Sequence, residues 1–465
     1  MKVALVYPPS QELNLKGYPL GLGYISASLK RSHRVDIYDY NGCQFNRSLR
    51  DFFSSIKQTR PDLIGVSFNS FNRWGAYKII KGIKKISKDT VVVLGGVHPS
   101  TLFSQVFEYF YDYIDFIIQS EGEASLYKLC AAIGSGQDYK NISGLVYKDG
   151  KTGIKSNPVM EKISNLDDLP IPDYSYASEK IKSSEFAYLI TSRGCPVNCS
   201  FCSTSSFWGQ NVRMNSPERV GEEVDYIKSM GAKRIFFYDD TFNLGIDRTI
   251  KLAEILKRKN IEYAISCRVR PVNEEMVARL VESGCKHITW GVESLSDKML
   301  KVIEKKITKE EVKNAFDICA KYADRMSTGA FFCVGAPGES EDTIKESVNY
   351  LNENIKSTHG PGASMLYILP GTKIYRDMIK AREYNEKIWV RTDSVYYYTK
   401  EHNTATLNRW RKAINNSGIR LPFNYKYFWD YALPDNRDNR PKFVNGFHKN
   451  IRKIIRFINM LRNRY

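Results

Sequence analysis

Thr191-Ser-Arg-Gly-Cys195-Pro-Val-Asn-Cys199-Ser-Phe-Cys202, entered from the apolar run 186–190, decides how the second half of this chain folds. The run reads as a strand, Gly194 and Pro196 end it, and three cysteines follow in the spacing C-x3-C-x2-C. Thiolates are the usual protein ligands of iron-sulfur clusters, and a four-iron cluster has one iron more than three cysteines can fill. A structural zinc site matches this spacing less well, because it closes with four ligands, usually as two separated pairs. No second pair follows. Cys43, Cys130, Cys267, Cys285, Cys319 and Cys333 stand singly in apolar segments, where a free cysteine behaves as a small hydrophobe.

Strands alternating with helical segments continue beyond the cysteines, with strands predicted over 186–191, 234–238, 263–267, 287–290, 330–334 and 364–369. Ser216 and Pro217 start a helix over 217–230: the hydroxyl caps free N–H groups, and proline suits the first helical position. Six strand-helix units read as a partial β/α barrel, whose active site gathers at the C-terminal strand ends. Upstream, short apolar strands over 3–7, 35–40, 63–68, 91–94 and 116–119 end in turn or small polar residues. They read as a Rossmann-like, doubly wound parallel sheet, which binds ligands outside the carboxyl ends of its strands. Between the two, 142–147 and 154–158 flank a hairpin turn at Lys148-Asp-Gly-Lys-Thr-Gly153, and Asp167-Asp-Leu-Pro-Ile-Pro-Asp173 cannot continue a helix or central strand. The expectation is an α/β protein with a Rossmann-like domain over 1–135, a connector over 136–185, a partial (β/α)6 barrel over 186–375, and a small, mostly helical, aromatic and basic region over 376–465.

Hydrophobic content of 42% with 26% charged residues excludes intrinsic disorder. There is no apolar stretch near 18 residues to span a bilayer, and Pro8-Pro9 interrupts an N-terminal run too short for a signal peptide. Nine cysteines without secretory context point to a reducing cytoplasm. The 69 Lys and Arg against 51 Asp and Glu give a net charge of +18, which calls for an anionic partner or substrate, or for surfaces solvated by lysine.

The cysteine loop, with Phe201 immediately before its third cysteine, resembles that of radical S-adenosylmethionine (SAM) enzymes. The resemblance implies a [4Fe-4S] cluster on Cys195, Cys199 and Cys202, with SAM chelating the open iron. One electron passed to the sulfonium breaks the bond to the adenosyl 5′ carbon, and the resulting radical abstracts hydrogen from substrate. It also implies SAM contacts at Phe201 and at strand ends: Asp239 and Asp240 in Tyr238-Asp-Asp-Thr-Phe-Asn243; Arg268 or Arg270 in Cys267-Arg-Val-Arg-Pro271, a guanidinium suited to the SAM carboxylate or an anionic tail; Glu293 in Gly291-Val-Glu-Ser294; and Gly335 in Gly335-Ala-Pro-Gly-Glu339, where glycine permits close backbone approach. The N-terminal half resembles the cobalamin-binding domain that precedes many such enzymes, in Pro19-Leu-Gly-Leu-Gly-Tyr24, Gly95-Gly-Val-His-Pro99 and Glu121-Gly-Glu123. The D-x-H-x-x-G motif that ligates cobalt in one class of cobalamin proteins is absent, as in many relatives joined to a radical SAM domain. Candidate cobalamin contacts are Ser10, Ser67, Gly96, His98 and Glu121.

These likenesses imply a cytoplasmic, cobalamin-dependent radical SAM enzyme, with methylation of an unactivated carbon the commonest reaction of the pairing and ring closure or rearrangement the alternative. An RNA-modifying methylthiotransferase would need a second three-cysteine set, which Cys43 and Cys130 cannot supply, and a non-catalytic sensor would make no radical. The partners expected are a small-molecule, apolar substrate and a reductant such as flavodoxin or ferredoxin; nucleic acid is not expected. Tyr396-Tyr-Tyr398 and the aromatic run 423–431 read as a substrate lining or a capping subdomain. Over 447–461, apolar residues fall on one helical stripe bordered by Lys449, Arg452, Lys453 and Arg456. That pattern suits peripheral membrane contact through 447–465, or packing on the barrel.

Overall fold

The strand β1 (Lys2–Tyr7) is buried along almost its whole length, as befits a parallel strand covered by helices on both faces. The computed structural model describes residues 1–10, 17–151, 153–160, 162–383, 385–391 and 401–421. From β1 the chain alternates through α1 (Leu20–Leu29), β2 (Arg34–Asp39), α2 (Phe45–Thr59), β3 (Leu63–Ser67), α3 (Arg73–Ile86), β4 (Val91–Gly95), α4 (Val97–Thr101), α5 (Phe103–Tyr109), β5 (Phe116–Ile118) and α6 (Gly122–Ser135). The strands lie parallel in the order β2-β1-β3-β4-β5, so the order reverses between β1 and β3, where a doubly wound sheet opens its ligand crevice. Leu5, Val93 and Ile118 pack with Leu22 and Leu126 of α1 and α6 on one face. On the other, Val6, Ile64 and Leu94 pack with Phe52, Ile80 and Phe107.

The hairpin that the sequence places in a connector belongs to this sheet. β6 (Leu145–Asp149) runs antiparallel to β5, and β7 (Gly153–Ser156) to β6, so the sheet has seven strands and continues past residue 135.

After α7 (Ser178–Ser184), the barrel strands are β8 (Phe186–Leu189), β11 (Arg234–Phe237), β12 (Glu262–Cys267), β13 (Cys285–Glu293), β14 (Ser327–Val334) and β16 (Gly360–Met365), all parallel and each beside the next in chain order. The sixth strand thus starts at Gly360, earlier than predicted. Gly360-Pro-Gly362 looks like a turn in the sequence, but among the described residues this strand is an edge that pairs only with β14, and an edge tolerates proline. Helices α9 (Pro217–Ser229), α10 (Ile246–Lys259), α11 (Glu274–Glu282), α12 (Asp297–Val302), α13 (Lys309–Ala320) and α14 (Glu341–Asn354) separate the main strands. Ser216 caps α9 by accepting from Arg219 N, with Pro217 at its start, as expected. A short β9 (Ser192–Arg193) pairs with β10 (Arg213–Met214), and α8 (Thr204–Phe207) lies between them; a short β15 (Lys356–Ser357) precedes β16, and α15 (Lys373–Lys380) and α16 (Ile388–Arg391) follow it. The tyrosines 396–398, the aromatic run 423–431 and the stripe 447–461 lie outside the described residues. No helix among the described residues is long and apolar enough to cross a membrane.

Candidate active site

The cysteine loop is held at both ends by the two acids that follow β11. Buried Asp239 accepts from Thr191 N at 3.1 and 3.2 Å, from Thr191 Oγ1 at 2.9 Å, and from Ser192 Oγ. Asp240 accepts from Thr204 Oγ1 at 2.7 Å, just beyond Cys202. Asp239 thus braces the loop's entry, and burial pushes its carboxyl above the usual carboxylate range despite these bonds. Asp240 is exposed and keeps one oxygen for a ligand. In the middle, Ser200 N donates to Ile303 O and Ile374 N to Ser200 O, each at 3.0 Å. Gly194 turns the chain at φ +99, where a side chain would crowd the carbonyls of Gly209 and Asn211 at 3.1 Å.

Cys195, Cys199 and Cys202 are free thiols. Burial pushes Cys199 and Cys202 up, and the Lys305 and Arg268 cations only partly offset this at Cys199. A preformed loop of three unbridged soft donors facing two cations suits a negatively charged thiolate cluster, so the donor set fits the iron-sulfur group. Phe201 packs on Met299, Ile303 and Ala336 behind the loop, a hydrophobic support.

Glu293 sits at φ +72 at the end of β13, and its Oε1 takes a hydrogen bond from Lys305 Nζ at 3.0 Å. Arg268 is the inward arginine: buried, it donates to Lys305 O at 3.1 Å, whereas Arg270 is paired with Glu311 at 2.9 Å on the outside. Gly335, at φ +94, donates its N–H to Glu339 and turns its hydrogen toward Leu407 of α17 (Thr404–Asn415). The glycine serves a left-handed turn and close packing there rather than an open face. Lys305 escaped sequence reading because Glu304-Lys-Lys306 resembles a solvated charge run. Asn243 was also missed; it fixes the chain after β12 by donating to Arg268 O and Pro271 O, each at 2.8 Å, and accepting from Arg268 N at 3.0 Å.

At the carboxyl ends of β1, β3, β4 and β5 lies a largely apolar cleft of about 250 Å³. Ser67, Gly95, Gly96 and Ser120 line it from the sheet, and Phe207 and Trp208 from the cysteine-loop side. Gly95 leaves room where a Cβ would stand, its nearest neighbour being Ile118 O at 4.0 Å. Ser120 Oγ is buried and unpartnered. A glycine-floored apolar cradle with an orphan hydroxyl fits an apolar portion of a large cofactor.

Of the residues expected to face that cofactor, Ser67 and Gly96 line the cleft. Gly96, at φ +92, is required because a Cβ would stand 2.6 Å from Phe68 O. Ser10 lies outside the lining and donates to Phe71 O at 3.0 Å. His98 is a core histidine: fully buried, it bonds Ser70 Oγ at 2.9 Å and Tyr77 OH at 3.1 Å, and burial with Arg73 nearby holds its pKa well below normal. Glu121 reaches the cleft wall, but its carboxylate is committed to Arg193 and Arg213, each at 2.8 Å.

A strand-borne three-cysteine loop at the mouth of a parallel barrel, beside a doubly wound sheet with an open crevice, defines a two-cofactor enzyme. The comparisons agree: the radical SAM superfamily model matches residues 189–351 and the B12 binding domain model matches 11–129. The chain belongs to the radical SAM superfamily, in the group with an N-terminal B12 binding domain, and the cofactors of that group are a [4Fe-4S] cluster, SAM and cobalamin. It is 32% identical over 362 residues to the uncharacterized methyltransferase PH0819 of Pyrococcus horikoshii, covering 75% of this chain and 77% of that one. It is 25% identical over 397 residues to cytidylyl-2-hydroxyethylphosphonate methyltransferase of Streptomyces wedmorensis, with 72% and 73% covered. The methyltransferase TsrM of Kitasatospora setae, solved with cobalamin and a [4Fe-4S] cluster bound, superposes with a TM-score of 0.67 at 20% identity, over 82% of this chain and 75% of that one.

Proposed function

We propose that this enzyme methylates an unactivated carbon of an apolar small molecule, with Cys195, Cys199 and Cys202 holding the cluster and Glu293, Arg268 and Asp240 orienting SAM. The observation carrying this reading is the shared wall: the sheet's cleft is closed by Phe207 and Trp208, in and just after the short helix that follows Cys202. A ligand in that cleft therefore lies beside the cysteine loop. When bound, the reduced cluster with SAM supplies hydrogen abstraction and cobalamin supplies the methyl group.

Exposed aromatic residues on and beside the barrel strands favour an apolar substrate. Phe331 of β14 pairs with Gly291 on one side and Gly362 on the other, neither of which has a side chain to cover it, and it is 53% exposed. Tyr238, just past β11, is 45% exposed and stacks on Tyr188 with ring centroids 4.7 Å apart. Exposed aromatic rings so placed are the kind of surface an apolar guest can cover. Lys305 stays with Glu293 and, with Arg268, keeps positive charge beside Cys199 for an anionic cluster or a carboxylate. Glu293 retains its second oxygen for a hydroxyl or ammonium donor.

The test is anaerobic incubation of reconstituted enzyme with reductant, cobalamin, methyl-deuterated SAM and candidate apolar substrates. The reading requires 5′-deoxyadenosine together with product heavier by the labelled methyl group. 5′-Deoxyadenosine with an unmethylated, rearranged product would replace methylation by cyclisation or rearrangement, and none with any substrate would remove the radical reaction.

A further inference from the structure

Two buried glutamates at the start of α6, Glu121 at its cap and Glu123 in its first turn, hold two buried arginines of the β9–β10 pair. Arg193 Nη1 donates to Glu121 Oε1 at 2.8 Å and Nη2 to Glu123 Oε1 at 2.6 Å. Arg213 Nη1 donates to Glu121 Oε2 at 2.8 Å and to Ile163 O at 2.7 Å. Ile163 N donates to Glu121 Oε2 at 3.1 Å. Side-chain exposure is 4–7% for all four ionic groups. The Arg193 guanidinium also lies 5.0 Å from the ring centroids of Tyr24 in α1 and of Trp208.

The four residues sit where the two cofactor sites meet. Glu121, Glu123 and Trp208 line the cleft of the sheet, and Arg193 is two residues before Cys195. Buried ion pairs add little net stability, since each charge gives up its water, and apolar replacements of similar volume are often as stable. What a bidentate arginine adds is direction: its planar fork fixes two carboxylates at once, a geometry lysine cannot reproduce.

We infer that Arg193, clamped by Glu121 and Glu123, is a positioning residue that fixes the cluster-bearing loop against the cobalamin cleft and so sets the distance and orientation between the two cofactors. This rests on the reading that both are held where proposed. Arg193 touches neither reacting group; its effect passes through the chain to Cys195 and through Trp208 to the cleft. Breaking the clamp leaves each cofactor its own site and loosens their mutual placement.

The experiment uses full-length protein loaded with both cofactors, reduced so that cob(II)alamin and the [4Fe-4S]⁺ cluster are both paramagnetic, and reads their magnetic interaction by electron paramagnetic resonance. Glu123→Gln and Arg193→Lys are the test variants; Leu252→Ala, which truncates a fully buried side chain of α10 away from the clamp, controls for general destabilisation. Iron and corrin content stay at wild-type levels in both test variants, while their spin-spin interaction falls to half or less, or is smeared over a range of distances. Leu252→Ala keeps the wild-type interaction. An unchanged interaction in fully loaded test variants overturns the inference, as does the same loss in Leu252→Ala. Failure of the wild-type protein to take up corrin overturns the functional reading and the inference with it, whereas failure of the inference alone leaves corrin uptake intact.

Discussion

Replacing Asp239 by alanine separates a brace from a ligand. The carboxylate receives three donors, Thr191 N, Thr191 Oγ1 and Ser192 Oγ. Hydrogen bonds to a charged group contribute about 1.5–3 kcal/mol each, a gross loss of roughly 5–9 kcal/mol. Burial that raises the Asp239 carboxyl is a cost that alanine relieves, so the expected net loss is about 3–4 kcal/mol. With an unfolding entropy of about 2.1 cal/mol/K per residue, 465 residues give about 1 kcal/mol/K, so the midpoint should fall by about 3–4 °C in an anaerobic melt. Because the loop entry is freed, iron per chain after reconstitution falls too. SAM affinity, measured by titration of the cluster-loaded fraction, changes less than threefold. Asp239→Asn, which keeps one acceptor oxygen, lies between. Wild-type melting and iron content combined with a tenfold or greater loss of SAM affinity would refute the brace and return Asp239 to the SAM site.

Any one of Cys195→Ala, Cys199→Ala and Cys202→Ala abolishes the brown chromophore and 5′-deoxyadenosine formation while leaving the far-ultraviolet circular dichroism unchanged. Gly95→Leu fills the cleft, since nothing stands closer than 4.0 Å to its Cβ position; corrin uptake falls at least tenfold with normal iron content, whereas Gly96→Ala, forced against Phe68 O, lowers thermal stability itself. Buried Glu223, bonded by Tyr174 OH at 2.5 Å, has its carboxyl pushed up by burial from 4.5 to about 7. The folded state then binds a proton that the unfolded chain has released, so this group's stability contribution is full below about pH 4.5, declines up to about pH 7 and is flat above. The decline is about 3 kcal/mol at most, and melts of Glu223→Gln across pH 5–8 should lack it; parallel curves would refute this. Phe331→Ala costs little stability, because more than half of the ring is exposed, and it weakens binding of an apolar substrate.

Most of the scaffold was legible because it rests on local patterns. Runs such as Val3-Ala-Leu-Val-Tyr7 bury on both sides, the cysteine spacing is short-range, and Ser216-Pro217 starts its helix unaided. The edge strand β16 was misplaced because Gly360-Pro-Gly362 carries turn chemistry that only an edge position permits. Side-chain roles were less legible, because they depend on what tertiary structure sets opposite each group. Asp239 and Glu121 are acids at expected ligand-binding ends, yet each faces donors from a distant segment, 47 and 72 residues away for Ser192 and Arg193. His98 sits in a glycine-rich loop that suggests exposure, but its ring turns inward to Ser70 and Tyr77. Lys305 differs from its charged neighbours only in the direction it points.

The two acids after β11 also bear on how this enzyme ages. Thr191, Ser192 and Thr204 hang from Asp239 and Asp240, and Ser200 is tied to Ile303 and Ile374, so part of the loop's frame is protein hydrogen bonding that loss of iron would not itself remove. Destruction of the inorganic core by oxygen is then a local injury. To the extent that these bonds hold, iron and sulfide could refill the site without refolding the chain, and the polypeptide would outlast its most fragile part.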